Sequence, residues 1–259
     1  MKYKSRFSKY ITILVLVFFY LPMIVMTVNS FNNSKYGITW KGFTFQWYID
    51  MFNNPKILFT LLNSLIIGIT SMVAAMVLGT LSAFCIHYYK SKLQFINNNL
   101  ILIQLGVPDI LMGMSLLLFF ISIHIKLGLL TIFIAHVTFC ISYVTMVVLG
   151  RLQNFDFAII EAAKDLGATW PIIIRKIILP LLSPGIVAGG LLAFTLSIDD
   201  FVITFFVTGP GSTTLPVYIY SMMKHGSPTI VNAISVFILI ATFILVYFSQ
   251  KLTNSKKTQ

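Results

Sequence analysis

The sequence predicts an all-α membrane protein of six transmembrane helices, and three observations predict it. Apolar residues make up 58 % of the 259 residues, charged residues only 10 %, and the mean hydropathy is +0.91. A soluble globular domain carries about 25 % charged residues, so this chain is too apolar and too poor in charge for that class. Six apolar runs, at about residues 11–29, 58–84, 98–122, 128–149, 184–206 and 231–249, are the second observation. Each is long enough to cross ~30 Å of hydrocarbon at ~1.5 Å per residue, and backbone in lipid must satisfy its own hydrogen bonds, which selects helices. The third is that basic residues alternate in density between the runs, as orientation in a membrane requires. Spans joined by short connections predict a single transmembrane domain over residues 1–259.

The first run follows Lys2, Lys4, Arg6 and Lys9. It is long, lacks a small-x-small cleavage site and is followed by further spans, so it reads as an uncleaved first helix rather than a removed signal. With the N-terminus in the cytoplasm, the inner segments hold Lys2, Lys4, Arg6, Lys9, Lys90, Lys92, Arg151, Lys164, Arg175, Lys176, Lys251, Lys256 and Lys257, which is 13 of the 18 basic residues. The outer five are Lys35, Lys41, Lys56, Lys126 and Lys224. The expectation is that both termini are cytoplasmic. The net charge of +11 then reports topology and not a nucleic-acid surface, because no basic patch is interleaved with a soluble fold.

Between the first two runs, the polar but aromatic stretch 30–56 predicts a segment on the outer membrane face with Trp40 and Trp47 at headgroup depth, or a docking surface for an external partner. Run three carries Pro108-Asp109 near its middle, where the missing proline N–H predicts a kink. Run four carries His136, for which an interhelical hydrogen bond is the expectation, and Cys140. Both Cys85 and Cys140 lie in apolar runs and read as small hydrophobes. The four histidines are scattered without metal-ligand spacing, so no metal site is expected. No GxSxG elbow and no plausibly placed acidic pair supports an enzyme.

The loop 150–180 breaks the pattern. Arg151, Asp156, Glu161, Lys164, Asp165, Arg175 and Lys176 crowd into it, on the cytoplasmic side. Glu161 to Asp165 are mostly good helix formers, Gly167 is a stop, and Trp170-Pro171 opens a second helical stretch expected to end at Pro180. Two short helices about a Gly bend make a knob, and small Ala162 and Ala163 beside the Glu161 carboxylate suit insertion into a groove on another protein.

Asp109, Asp199 and Asp200 are the acidic residues inside predicted spans, with no Lys or Arg there to neutralise them. A carboxylate at membrane depth costs at least ~2.5 kcal/mol even on insertion scales, so such residues face a cavity or a partner. On a continuous fifth helix Asp199 and Asp200 are about 100° apart and point different ways. One is expected to line a route for a cationic solute; the spacing leaves open which. Nearby Phe201, Phe205, Phe206, Tyr218 and Tyr220 are either packing or ring faces for ammonium groups. Gly185 and Gly189, four apart, allow close helix approach.

The pattern Glu161-Ala162-Ala163, three residues, Gly167, nine residues, Ile177-x-Leu179-Pro180 resembles the signature loop of bacterial ABC importer permeases. The resemblance extends over essentially the whole chain, including the six-span layout. It implies the type I importer permease fold, with Glu161, Ala162, Ala163, Asp165 and Gly167 in a coupling helix that contacts a cytoplasmic ATPase and Ile177, Leu179 and Pro180 anchoring it. It also implies a second, homologous permease as heterodimer partner, two ATPase subunits and an extracytoplasmic substrate-binding protein. The chain has no GxxxxGK stretch, so ATP and magnesium belong to the ATPase and this chain needs no cofactor.

More narrowly, "LSIDDFVITFFVTGPGSTTLPVYIYSMMKHGSPTIVNAIS" and "VPDILMGMSLLLFF" are similar to the second permease subunit of spermidine/putrescine importers. A polyamine is a flexible polycation, which suits Asp109, Asp199 and Asp200. Permeases for iron, thiamine or an organic amine share much of this pattern. An ion-coupled secondary transporter using the same aspartates is the rival from another class, and it leaves the Glu161 loop unexplained. The expected location is the bacterial inner membrane.

Overall fold

The structure, a computed structural model, describes residues 6–88, 92–153, 158–224 and 228–255. Lys2, Lys4, Lys90, Lys256 and Lys257, counted above for orientation, Asp156 of the charged loop and His225 lie outside them. The described residues are helical with short connections: α1 (Arg6–Ser30), α2 (Gln46–Asn53), α3 (Pro55–Tyr88), α4 (Lys92–Gly106), α5 (Asp109–Ser122) and α6 (Leu129–Leu152) come first. Then follow α7 (Ala158–Asp165), α8 (Trp170–Ile173), a π-helical turn (Ile174–Ile178), α9 (Leu179–Asp199), α10 (Val202–Val207), α11 (Leu215–Lys224) and α12 (Pro228–Ser255). The chain divides into two compact units, one made of Met1–Leu58 with Tyr218–Gln259, the other of Phe59–Val217.

Among the described residues four helices are long and apolar enough to cross a membrane, or five when the bent pair Gln94–Gly106 and Asp109–Ser122 counts as one span. The sixth expected span falls on α12, Pro228–Ser255, within which the apolar stretch Thr229–Ile240 lies. Three expectations are corrected. Run three is not one kinked helix: it turns by 115° at Pro108, which is extended (φ −60°, ψ 136°), so Asp109 opens a new helix instead of lying within one. Proline cannot donate to the turn before it and biases Val107 away from helix, so the chain starts again. Run five is not continuous either: α9 ends at Asp199, and Asp200 is extended (ψ 120°). Finally, the helix opened by Trp170-Pro171 does not stop at Pro180 but runs on to Asp199 through the π turn. A wider i→i+5 turn just before Pro180 suits a residue with no N–H to offer the regular ladder.

In the Phe59–Val217 unit, α6 and α9 pack at its centre. The two glycines on α9 do what their spacing suggested. A Cβ on Gly189 would lie 3.3 Å from Val144 Cγ1, and one on Gly185 would meet the Arg151 side chain, so α6 is the neighbour they admit. Ile132, Val144, Val148, Leu182 and Ala193 of these helices, and Ile203 of α10, are essentially inaccessible. Polar side chains pin the connections: Thr131 Oγ1 donates to the Val207 carbonyl, Asn63 Nδ2 to the Thr213 carbonyl, and the Leu215 N–H to Ser64 Oγ.

In the other unit, α12 packs against α1 and α2. The apolar window of α1 is not buried at all within the chain, as expected of a helix that faces lipid or another subunit. The polar, aromatic stretch after α1 forms an ordered turn. Asn32, 1 % exposed, donates to the Thr39 carbonyl, accepts from the Lys41 N–H, and through its own carbonyl accepts from Trp47 Nε1. Phe31 stacks on Phe43 at 5.2 Å, while Trp40 stands exposed.

Candidate functional site

The break after Asp199 has a local cause. An aspartate competes with helix by bonding nearby N–H groups, and it is favoured where a helix begins. Asp200 does this: its carboxylate accepts from the Ile203 N–H (3.2 Å), the Thr204 N–H (2.8 Å) and Thr204 Oγ1 (2.7 Å). It therefore caps α10. Two adjacent aspartates in a long apolar run were the signal for this break, and the expectation of a continuous helix overlooked it.

His136, on α6 and 1 % exposed, completes the cluster. Its Nδ1 is 2.6 Å from Ser197 Oγ in the last turn of α9, and its Nε2 is 2.9 Å from Thr204 Oγ1 and 3.3 Å from Asp200 Oδ2. The expected interhelical hydrogen bond is present, and it is double. The donors can be ordered. Thr204 gives its hydroxyl proton to Asp200, so its oxygen is left to accept from Nε2–H, while Nδ1 on the other edge of the ring pairs with the Ser197 hydroxyl. Both ring nitrogens are thus partnered, with one bond on each side of the helix break.

Asp199 contrasts with its neighbour. It is the last residue of α9 and its side chain is exposed, as is that of Asp109 in the first turn of α5. Phe205, 47 % exposed, stands within ring contact of Phe201 and Phe206. The tyrosines differ: Lys56 lies 5.0 Å over the Tyr218 ring and Lys224 4.9 Å over the Tyr220 ring, so both rings already hold an ammonium of the chain itself.

The charged loop forms the expected short helix, bend and second helix. In α7, Ile160 and Ala163 turn inward at 4 % and 8 % exposure, while Glu161, Ala162, Lys164 and Asp165 face out. Gly167 takes φ +80°, its N–H bonds the Lys164 carbonyl, and the Ala168 N–H bonds the Ala163 carbonyl. These two bonds make a Schellman cap with glycine in the left-handed position it prefers. Leu166, the residue before the bend, is 88 % exposed. Beyond it Lys164 stands 4.8 Å over the Trp170 ring, which meets the edge of Tyr88. Ile177 is half-buried, and Leu179 and Pro180 are exposed. The deeper anchors, Ile173 and Ile178, were missed; apolar side chains at i and i+5 on a helix that continues past Pro180 were the available signal. A cavity of about 470 Å³ opens behind α7, lined by Phe84, Cys85, Tyr88, Ile160, Trp170 and Ile178 among others.

Several helices are long and apolar enough to cross a membrane, with carboxylates at helix breaks and a capped, charged knob, which is the setting of a membrane protein. The chain matches the family model described as "Binding-protein-dependent transport system inner membrane component" over residues 75–258, and it belongs to that family. It is 40 % identical over 242 residues to the spermidine/putrescine transport system permease protein PotC of Escherichia coli K12, covering 93 % of this chain and 92 % of that one. It is 38 % identical over 252 residues to the putrescine transport system permease protein PotI of the same organism, covering 93 % and 89 %. Among solved structures, a bacterial ABC transporter involved in import of the acidic polysaccharide alginate matches with a TM-score of 0.76 at 15 % identity, covering 97 % of this chain and 98 % of that one. The inward-facing MetNI methionine transporter matches with a TM-score of 0.65 at 17 % identity, covering 78 % and 98 %. The fold is therefore that of ABC importer permeases, and the chain is a multi-pass inner-membrane transport subunit, not an enzyme.

Proposed function

We propose that this chain is one membrane half of an ATP-driven importer for polyamines such as spermidine and putrescine. The observation that carries the reading is the identity to two polyamine permeases over more than nine tenths of the chain, on a scaffold that leaves Asp109 and Asp199 exposed at helix ends. The chain works as a single permease domain of six spans with both termini cytoplasmic, with α12 as the sixth and the bent α4–α5 pair as the third. Its partners are a second, homologous permease, two cytoplasmic ATPases that bind ATP with magnesium, and an extracytoplasmic binding protein.

The α7 knob, with Glu161, Ala162, Ala163, Asp165 and Gly167, sits in a groove of the ATPase, and the helix through Ile177, Leu179 and Pro180 carries its motion to α9. ATP binding draws the ATPases together and opens the route outward to receive solute; hydrolysis resets it inward. Asp199 and Asp109 face the second permease and stabilise the passing ammonium groups, weakly enough that the solute leaves. Asp200 serves the same route from behind, as the cap that ends α9 at Asp199.

The test is uptake of labelled spermidine in cells whose only polyamine importer contains this chain, with and without the ATPase. ATPase-dependent uptake competed by putrescine is expected. An assembled complex that moves no polyamine would overturn the substrate and direct the screen to iron, thiamine and organic amines. Uptake that survives loss of the ATPase and collapses with the ion gradient would overturn the class.

A further inference from the structure

His136 is a buried, ionisable side chain at membrane depth, and such a residue costs too much to be idle. It is too deep to meet solute, and no group of three or more His, Cys, Asp or Glu able to hold a metal exists among the described residues. What it touches is particular: Ser197 before the helix break, and Thr204 and Asp200 after it. α9 and α10 have no continuous backbone ladder between them at this point, since Asp200 is extended. The imidazole is thus a brace from α6 that spans the gap left by the missing helical turn.

We propose that His136 is a positioning residue for the cation route, fixing where the end of α9, and with it the Asp199 carboxylate, stands. Three features argue for this. The brace holds both sides of the break, so loss of either bond frees one helix end to shift. It also orients Thr204 to donate to Asp200, which keeps that carboxylate committed to its cap and leaves Asp199 as the acid presented outward. Finally, α10 is held from its other side by α5, where Gly113 admits the Phe206 ring and the Ile203 backbone at close range, so a shift at the break is passed on to the helix that begins with Asp109. A displacement of about 1 Å is enough to spoil a preorganised binding group.

The proposal rests on the reading of Asp199 as a cation-binding side chain, and the test separates the two. The complete importer, with its second permease, ATPases and binding protein, is reconstituted in vesicles, and spermidine moved per ATP hydrolysed is measured. A defect in folding alone lowers both quantities together and leaves their ratio unchanged, so the ratio reports the route. His136→Leu is expected to lower it roughly three- to tenfold. His136→Gln, whose amide carries one acceptor and one donor group, should fall in between. Should His136→Leu fail to assemble, Ser197→Ala, which cuts the α9 half of the brace and leaves the Asp200 cap intact, gives the same readout. A lowered ratio in Asp199→Asn with a wild-type ratio in His136→Leu overturns the positioning role and leaves Asp199 in place. A wild-type ratio in Asp199→Asn overturns the reading of Asp199 and the positioning role with it.

Discussion

Gly113 and Phe206 set the distance between the two half-helices that follow the chain's two breaks: a Cβ on Gly113 would lie 2.7 Å from Phe206 Cδ2 and 3.3 Å from the Ile203 Cα. The ring can turn aside, but the Ile203 backbone cannot yield without moving α10. Gly113→Ala is therefore expected to overpack this seam and destabilise the permease by about 1–3 kcal/mol. Thermal unfolding of the purified complex checks it. As a control, the atoms nearest to a Cβ on Gly190 all belong to the Met76 side chain, which is flexible enough to move, so Gly190→Ala should cost clearly less. Equal losses at the two positions would show that the α5–α10 seam is not tight.

Asp200 offers a second prediction because its two oxygens receive three donors. Asp200→Ala strands the Ile203 and Thr204 N–H groups in a buried site and should destabilise by about 1–3 kcal/mol. Asp200→Asn retains one acceptor oxygen, and asparagine caps helices nearly as well as aspartate. It should therefore keep most of the stability yet weaken spermidine uptake without loosening the ATPase, since Thr204 and His136 must find new partners. Uptake by Asp200→Asn equal to wild type, in complexes of equal amount, would remove Asp200 from any role in the route.

Much of this was legible in the sequence. Hydropathy located the runs, and the charged loop, its Gly bend and the spacing through Pro180 marked the knob. The helix breaks were not legible, because periodicity and hydropathy see only side-chain character and both persist across Pro108 and Asp200. At Pro108 a kink was expected and a 115° turn is present, since hydropathy does not say whether a freed backbone is repaired within the helix. At Asp200 the deciding contacts come from Thr204 one turn on and from His136, 64 residues earlier in the sequence, a pairing that only the fold creates. The roles of Asp199 and Asp200, equivalent in sequence, separate for that reason. Pro180 misled in the other direction: the π turn before it lets the helix continue.

Gly167 gives a third prediction. Its φ of +80° lies in the left-handed region, and nothing stands within 4 Å of where a Cβ would project, so the cost of Gly167→Ala is conformational alone, about 1 kcal/mol. That is enough to loosen the bend without unfolding the membrane helices. Insertion should be normal and copurification of the ATPase reduced; Gly167→Asn, which tolerates this backbone better, should restore part of it. Full copurification with Gly167→Ala would show that the bend need not be rigid.

The last prediction concerns Glu161, which α7 turns outward while Ile160 and Ala163 fasten the same helix inward. Because the carboxylate makes no contribution to that inward packing, reversing its charge should leave the fold alone and act only on the partner. Glu161→Lys is expected to abolish uptake while membrane insertion and the amount of permease stay at wild type, since a lysine there replaces an acceptor with a donor of opposite charge at a charge-assisted contact. Glu161→Gln, which keeps the shape and an acceptor, should retain part of both ATPase binding and uptake. Ile160→Asp provides the contrast: it buries a charge against the core of the knob and should lower the amount of permease itself. If Glu161→Lys copurifies its ATPase and transports normally, the outward face of α7 is not the coupling surface.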